Sequence, residues 1–416
     1  MSGLASDPVN APASGPVNGA GPGCPAGVAP GFVPPPYPYD RLAALAERAR
    51  ILHAGGAGLI DLSVGNPCDP PPPDVLAALG SSGAERGYPP SAGSLQLRQA
   101  ALSWMSRRFG VELPADSIAA CIGTKEMVAS SAWYLRLRSP GRDTVLHPAL
   151  SYPTYAMSAT LAGCRSVGVP EAPGGGVDLG AIDPDDAGRA LVLWVNSPAN
   201  PTGRLTDLGA AAAWGRENGV PVFSDECYVE LTWARPPESI LQHGLEGLLA
   251  VHSLSKRSNL AGVRVGFYAG DAELVGYLSE VRKHAGLMVP GPAQLAGVHA
   301  LVDDRHVAEQ RGRYRHRLER LAGALGSAGV ACGLPDGGFY LWVEAPEWAR
   351  DSAGSMPAWV LAEALAEAAG ILVSPGDFYG EAGSKYVRVA AVQPDERIEE
   401  ACRRLEAVGT LGPGKR

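Results

Sequence analysis

Apolar residues recur at helical spacing in some segments of the chain and run without interruption in others, and the two kinds alternate. Leu42, Leu45, Ala46, Ala49 and Leu52 predict an amphipathic helix over Asp40–Ala54, ended by Gly55-Gly56. Leu97, Ala100, Ala101 and Trp104 predict another over Leu95–Phe109. A short β-like run at Leu59–Val64 stops at Gly65-Asn66-Pro67. Further apolar runs at Ile118–Ile122, Thr144–His147, Ser166–Val169, Ala190–Val195, Val220–Ser224, Leu248–His252 and Val265–Ala269 are separated by helical segments. A strand covered on both faces needs no polar alternation. These runs therefore predict a mostly parallel sheet wrapped by helices, a large doubly wound α/β domain over residues 76–300.

Glu309–Leu325 predicts a long, charge-rich helix leading into a smaller α+β unit over residues 301–416. Its strands are expected at Gly337–Val343, Ile371–Ser374 and Tyr386–Ala391, and its helices at Pro357–Ala369 and Asp395–Leu405. Residues 37–75 are expected to pack back onto this unit, making it discontinuous in sequence. Residues 1–36 are dominated by Gly, Pro, Ala, Asn and Ser, with Asp7 the only charge. So little apolar surface cannot offset the entropy of ordering, and this segment reads as a disordered tail.

Composition changes this picture little: 416 residues, 46% hydrophobic and 19% charged, is ordinary for a soluble globular chain. A net charge of −8 gives no electrostatic case for nucleic acid or an anionic membrane. No apolar run reaches the ~18 residues of a spanning helix, and no secretory signal pattern opens the chain, so a cytoplasmic protein is expected. The seven cysteines are dispersed without metal-ligand spacing, which argues against a metal site and for buried free thiols. Two arginine clusters, Arg136, Arg138, Arg142 and Arg311, Arg313, Arg315, Arg317, are expected on solvated faces.

Doubly wound sheets bind ligands beyond the carboxyl ends of their strands, and the chemically informative residues fall there. Gly123-Thr124-Lys125 follows one strand and opens a helix, so backbone N–H groups and a hydroxyl face any anion at that end. Tyr152 follows a second strand, where a ring can stack on a planar heteroaromatic. Asn200, within Asn196-Ser197-Pro198-Ala199-Asn200-Pro201-Thr202-Gly203, can donate its amide to a phenolate-type oxygen. Asp225 ends the next strand, and a carboxylate buried there needs a cationic partner, which a protonated pyridine nitrogen provides. Tyr228 lies one turn further on. The run Ser253-Leu254-Ser255-Lys256, with Arg264 shortly after it, combines an amine suited to bond an aldehyde cofactor with hydroxyls and a cation suited to phosphate. Each residue alone has a bland reading as a turn, a helix cap or a packed aromatic. It is their order on successive strand ends that is specific.

On these motifs, residues 37–410 resemble the fold-type I pyridoxal-5′-phosphate enzymes of the aspartate aminotransferase superfamily. The resemblance implies that Lys256 bonds the cofactor aldehyde and shuttles the substrate Cα proton. It implies that Asp225 pairs with the pyridinium, that Asn200 and Tyr228 bond the ring oxygen, and that Tyr152 stacks on the ring. Gly123, Thr124, Lys125, Ser253, Ser255 and Arg264 would hold the phosphate, the first and third through backbone. Tyr88, in Gly87-Tyr88-Pro89, would reach the neighbouring subunit's cofactor, which implies a homodimer with shared active sites. Arg388, in Tyr386-Val387-Arg388-Val389-Ala390, and the Gly65 N–H would take the substrate α-carboxylate, a task suited to a guanidinium fork.

The strings over Ser224–Leu231, His252–Gly262, Val281–Gly286 and Pro375–Gly380 are similar to actinobacterial N-succinyl-LL-diaminopimelate aminotransferases. The implied activity is transfer of an amino group from an amino acid such as glutamate to a keto acid, N-succinyl-2-amino-6-oxopimelate among the candidates. The same cofactor site serves an alternative: elimination, replacement or carbon–carbon coupling on a substrate with a leaving group, such as S-adenosylmethionine. Asn66, and the run Ala390-Ala391-Val392-Gln393 after the arginine, depart from the lysine-pathway pattern beside the carboxylate site.

Overall fold

Ala190–Asn196 is buried at every position, as an uninterrupted apolar run demands, and the large sheet is built around it. The computed structural model describes residues 39–55, 58–80, 83–84, 86–350 and 356–412, so the tail expected over 1–36 lies outside the described residues. Among the described residues the strands are β1 (Ile60–Asp61), β2 (Ile118–Cys121), β3 (Thr144–Pro148), β4 (Arg165–Val169), β5 (Ala190–Asn196) and β6 (Val222–Asp225). They continue with β7 (Leu248–Ser253), β8 (Gly266–Gly270), β9 (Tyr340–Glu344), β10 (Ile371–Leu372), β11 (Ser374–Pro375) and β12 (Tyr386–Ala390).

The large sheet has seven strands in the order β2-β8-β7-β6-β5-β3-β4. Strands β3 to β7 pair in parallel, whereas β8 runs antiparallel to both β7 and β2. The link from β7 to β8 contains only a four-residue helix, Leu254–Arg257, too little for the crossover that a parallel return needs. One expected strand departs from the pattern: β4, at one edge of the sheet, exposes Arg165, Ser166 and Gly168. The two sheet faces carry separate apolar layers, one containing Leu146, Leu193 and Val195, the other Val192, Trp194 and Phe223.

A second core gathers Leu45 and Ala49 from the helix Tyr39–Leu52 with Leu318, Leu341, Leu365, Val387 and Leu405. It covers a three-stranded antiparallel sheet, β11-β12-β9, and the short parallel pair β1-β10. The run expected over Leu59–Val64 contracts to β1, and that over Ile371–Ser374 divides. Ile371 pairs with Ile60, while Ser374 turns to pair with Arg388.

Two surface expectations are corrected. Arg317 is 1% exposed, because Asp69 and Asp395, far away in sequence, close on its guanidinium at 2.6–2.8 Å. Arg311 lies over the Trp233 ring and donates to the Thr232 carbonyl. The cysteines are not uniformly buried: Cys121 and Cys402 are, Cys164, Cys227 and Cys332 are partly so, and Cys68 is exposed. No described helix is long and apolar enough to cross a membrane.

Candidate active site

The carboxyl ends of β2, β5, β6 and β7 lie on one side of the large sheet. Gly123 leaves β2 with φ +75° and caps the helix Thr124–Arg138; a β-carbon there would lie 2.6 Å from Arg264 Nη2, so only glycine fits. Arg264 itself adopts φ +60°, an uncommon conformation for a side-chain-bearing residue. Its guanidinium donates to the Ala261 and Ile122 carbonyls at 2.8 and 3.2 Å and reaches Ser255 Oγ at 3.5 Å. Ser253 Oγ donates to Ser255 Oγ at 2.8 Å and accepts from the Ser255 N–H. A helix N-terminus, the hydroxyls of Ser253 and Ser255, and one cation thus lie together, a ready site for a phosphate.

Asp225 ends β6 and is 6% exposed. It accepts from Tyr155 Oη at 3.0 Å and from the Cys227 N–H at 3.2 Å. Burial pushes its carboxyl up, and it forms no ion pair among the described residues. A buried carboxylate left without a cation is the partner that a protonated pyridine nitrogen calls for. Tyr155 had no assigned role in the sequence. It is buried on the helix Thr154–Leu161, on the face it shares with Ser158 and Ala159.

Lys256 lies on the helix Leu254–Arg257, and its Nζ donates to the Gly65 carbonyl at 2.5 Å. Burial lowers the amine to about 8, helped by Arg388 and Arg264 and opposed by Cys227 and Asp225. A lysine in that range holds a substantial neutral fraction near physiological pH, as a nucleophilic or proton-carrying amine requires.

Arg388 projects from β12 and is 6% exposed. Its guanidinium lies 4.1 Å from the Tyr340 ring centre and 4.8 Å from that of Tyr379. It donates to Asn200 Oδ1 at 2.8 Å and to the Ser63 carbonyl at 2.7 Å, while its Nε is buried and unpartnered. Tyr228 Oη meets Tyr340 Oη at 2.9 Å. Gly65 is held against the same tyrosine: a β-carbon there would lie 1.8 Å from Tyr340 Oη. Tyr340 and Tyr379 went unassigned in the sequence, since their importance comes from contacts with residues far away in the chain.

Tyr152 is half-buried at the rim, with Lys125 Nζ 5.6 Å from its ring centre. The structure therefore brings Gly65, Gly123, Thr124, Lys125, Tyr152, Asn200, Asp225, Tyr228, Ser253, Ser255, Lys256, Arg264 and Arg388 to one region. Tyr88 stands apart, 96% exposed.

Residues 57–405 match the model of the family "Aminotransferase class I and II". The chain is 43% identical over 380 residues to the 4-dedimethylamino-4-oxo-anhydrotetracycline transaminase OxyQ of Streptomyces rimosus, covering 89% of this chain and 99% of that protein. It is 44% identical over 380 residues to a Mycobacterium tuberculosis protein described as "Probable aminotransferase Rv1178", covering 89% and 85% of the two chains. Among solved structures, a "probable N-succinyldiaminopimelate aminotransferase" of Thermus thermophilus superimposes with a TM-score of 0.77 at 31% identity, covering 88% of this chain and all of the other.

Proposed function

Because the chain belongs to the class I and II aminotransferases, whose cofactor is pyridoxal 5′-phosphate, we propose that it draws its amino group from glutamate and delivers it to a keto acid. The residues present fit that cofactor. The Arg264 cradle suits its phosphate, unpaired Asp225 suits its ring nitrogen, and the Lys256 amine suits its aldehyde. When bound, it supplies an electron sink for the pair left at the substrate α-carbon. Lys256 Nζ carries the proton away from that carbon, and burial among aromatic rings keeps water from competing for it.

One observation carries the substrate half of this reading: Arg388 is buried between two tyrosine rings with part of its donor fork unused. An α-carboxylate satisfies that fork, and the bidentate contact orients the Cα–H bond toward Lys256. N-succinyl-2-amino-6-oxopimelate is the acceptor favoured by the sequence strings and by the Thermus structure. A ketone of specialised metabolism is the second reading, favoured by 43% identity along nearly the whole of OxyQ. Tyr88, almost fully exposed in one chain, supports a homodimer in which it reaches the partner's site.

The test is to mix holoenzyme with L-glutamate and measure 2-oxoglutarate, then to offer each acceptor class in turn. Stoichiometric 2-oxoglutarate is expected; its absence overturns the donor assignment. Turnover with the succinylated keto acid but not with polycyclic ketones selects the first acceptor, and the reverse selects the second.

A further inference from the structure

Tyr340 is 2% exposed at the start of β9 and touches three parts of the site. Its hydroxyl is 2.9 Å from that of Tyr228, its ring lies under the Arg388 guanidinium at 4.1 Å, and its tip fills the space that a side chain at residue 65 would occupy. No other described tyrosine is within hydrogen-bonding distance of Tyr228. A phenol has a single proton to donate and two lone pairs to accept with. In the ring-oxygen role that the family resemblance implies for it, Tyr228 spends its proton on the cofactor. The proton in the 2.9 Å contact must then come from Tyr340.

We propose that Tyr340 is a positioning residue that donates to Tyr228 Oη and, with the face of its ring, holds Arg388 in place. One side chain thereby sets both the ring-oxygen and the carboxylate ends of the site. The inference rests on the proposed role of Tyr228. A hydrogen bond received by Tyr228 polarises its own O–H and makes it a stronger donor. The ring acts separately, through the attraction of its face for the guanidinium. Gly65 belongs to the same device, because any larger residue would push the Tyr340 hydroxyl off Tyr228.

The two roles separate by substitution. Tyr340→Phe keeps the ring and removes the hydroxyl; Tyr340→Leu removes both. The readouts are the midpoint of the holoenzyme's pH-dependent absorbance and the KM for glutamate. Tyr340→Phe is expected to move the midpoint upward, by less than Tyr228→Phe does, and to leave KM within about twofold. Tyr340→Leu adds about a tenfold rise in KM, the scale of a buried cation–π contact. In a Tyr228→Phe background, Tyr340→Phe is expected to add no further shift. A wild-type midpoint for Tyr340→Phe, or a shift that persists undiminished without the Tyr228 hydroxyl, overturns the inference alone. An unmoved midpoint in Tyr228→Phe overturns the Tyr228 assignment and this inference with it.

Discussion

Arg388 Nη1 donates to Asn200 Oδ1 at 2.8 Å across 188 residues of sequence. A guanidinium can only donate, so this bond fixes which end of the Asn200 amide faces it and leaves Nδ2 pointing elsewhere as a donor. The arginine proposed to take the substrate carboxylate and the proposed ring-oxygen ligand therefore orient one another.

Asn200→Asp tests that relationship. The new carboxylate would pair with Arg388 as an ion and would donate to nothing. We expect KM for glutamate to rise, because the arginine is already neutralised. We also expect kcat to fall about 100-fold, the scale of losing one preorganised donor. Asn200→Ala should lose the donor while leaving Arg388 free, so steady-state kinetics should show a fall in kcat with a smaller change in KM.

Tyr155→Phe removes a hydrogen bond that favours the charged form of Asp225. The carboxyl should move further up and bind a ring cation less well. One neutral-to-charged hydrogen bond corresponds to a loss in cofactor affinity of about tenfold, measurable by equilibrium dialysis.

The Lys256 amine, lowered to about 8, must be neutral to attack an aldehyde. The rate at which apoprotein captures pyridoxal phosphate should therefore climb about tenfold per pH unit below 8 and level off above it. Stopped-flow absorbance from pH 6 to 10 would show this. A profile still rising at pH 10 would mean that the amine keeps its ordinary value.

Glu226 and His252 face each other in the core, Oε2 to Nε2 at 3.4 Å, with no ionised partner close enough to sustain a charge on either. Burial raises the Glu226 carboxyl to about 8 and lowers the His252 imidazole to about 3. In the unfolded chain Glu226 loses its proton near its ordinary value of 4.5, whereas the folded state keeps it to about 8. Its contribution to stability thus declines as pH rises from 4.5 to 8. Glu226→Gln, neutral at every pH, should exceed the wild-type melting temperature far more at pH 8 than at pH 5. Equal differences at both values would show that Glu226 is ionised throughout.

Much of the site was readable because parallel strands buried on both faces leave long apolar runs, and the chemistry sits where those runs stop. Ala190–Asn196 ends four residues before Asn200, and Val222–Asp225 ends on the carboxylate itself. The helix Leu95–Phe109 matched its expected bounds because Ser94 caps one end and left-handed Gly110 the other. What stayed hidden depends on meetings between distant segments. Neither the antiparallel turn of β8 nor the burial of Arg317 between Asp69 and Asp395 leaves a local periodic trace. Tyr340 looked like one more apolar position in a short strand, and only its neighbours Tyr228, Gly65 and Arg388 distinguish it.

The segment that delivers Tyr340 also limits how this chain can be recombined with its relatives. Gly337 donates to the Gly203 carbonyl, Gly338 to that of Leu231, and Trp233 to that of Asp336, stitching the start of β9 to the turns of the large sheet. At residue 337 a β-carbon would sit 2.4 Å from Pro198 Cγ, and at residue 203 one would sit 2.5 Å from Pro335 Cβ. A chimera that exchanges everything after residue 330 must therefore import glycine at 337 and a small, matching residue opposite 203. Otherwise the crossover pushes apart the loop that carries Asn200 and the strand that begins at Tyr340. Crossover points are safer beyond β9, where the exchanged fragment leaves this seam intact.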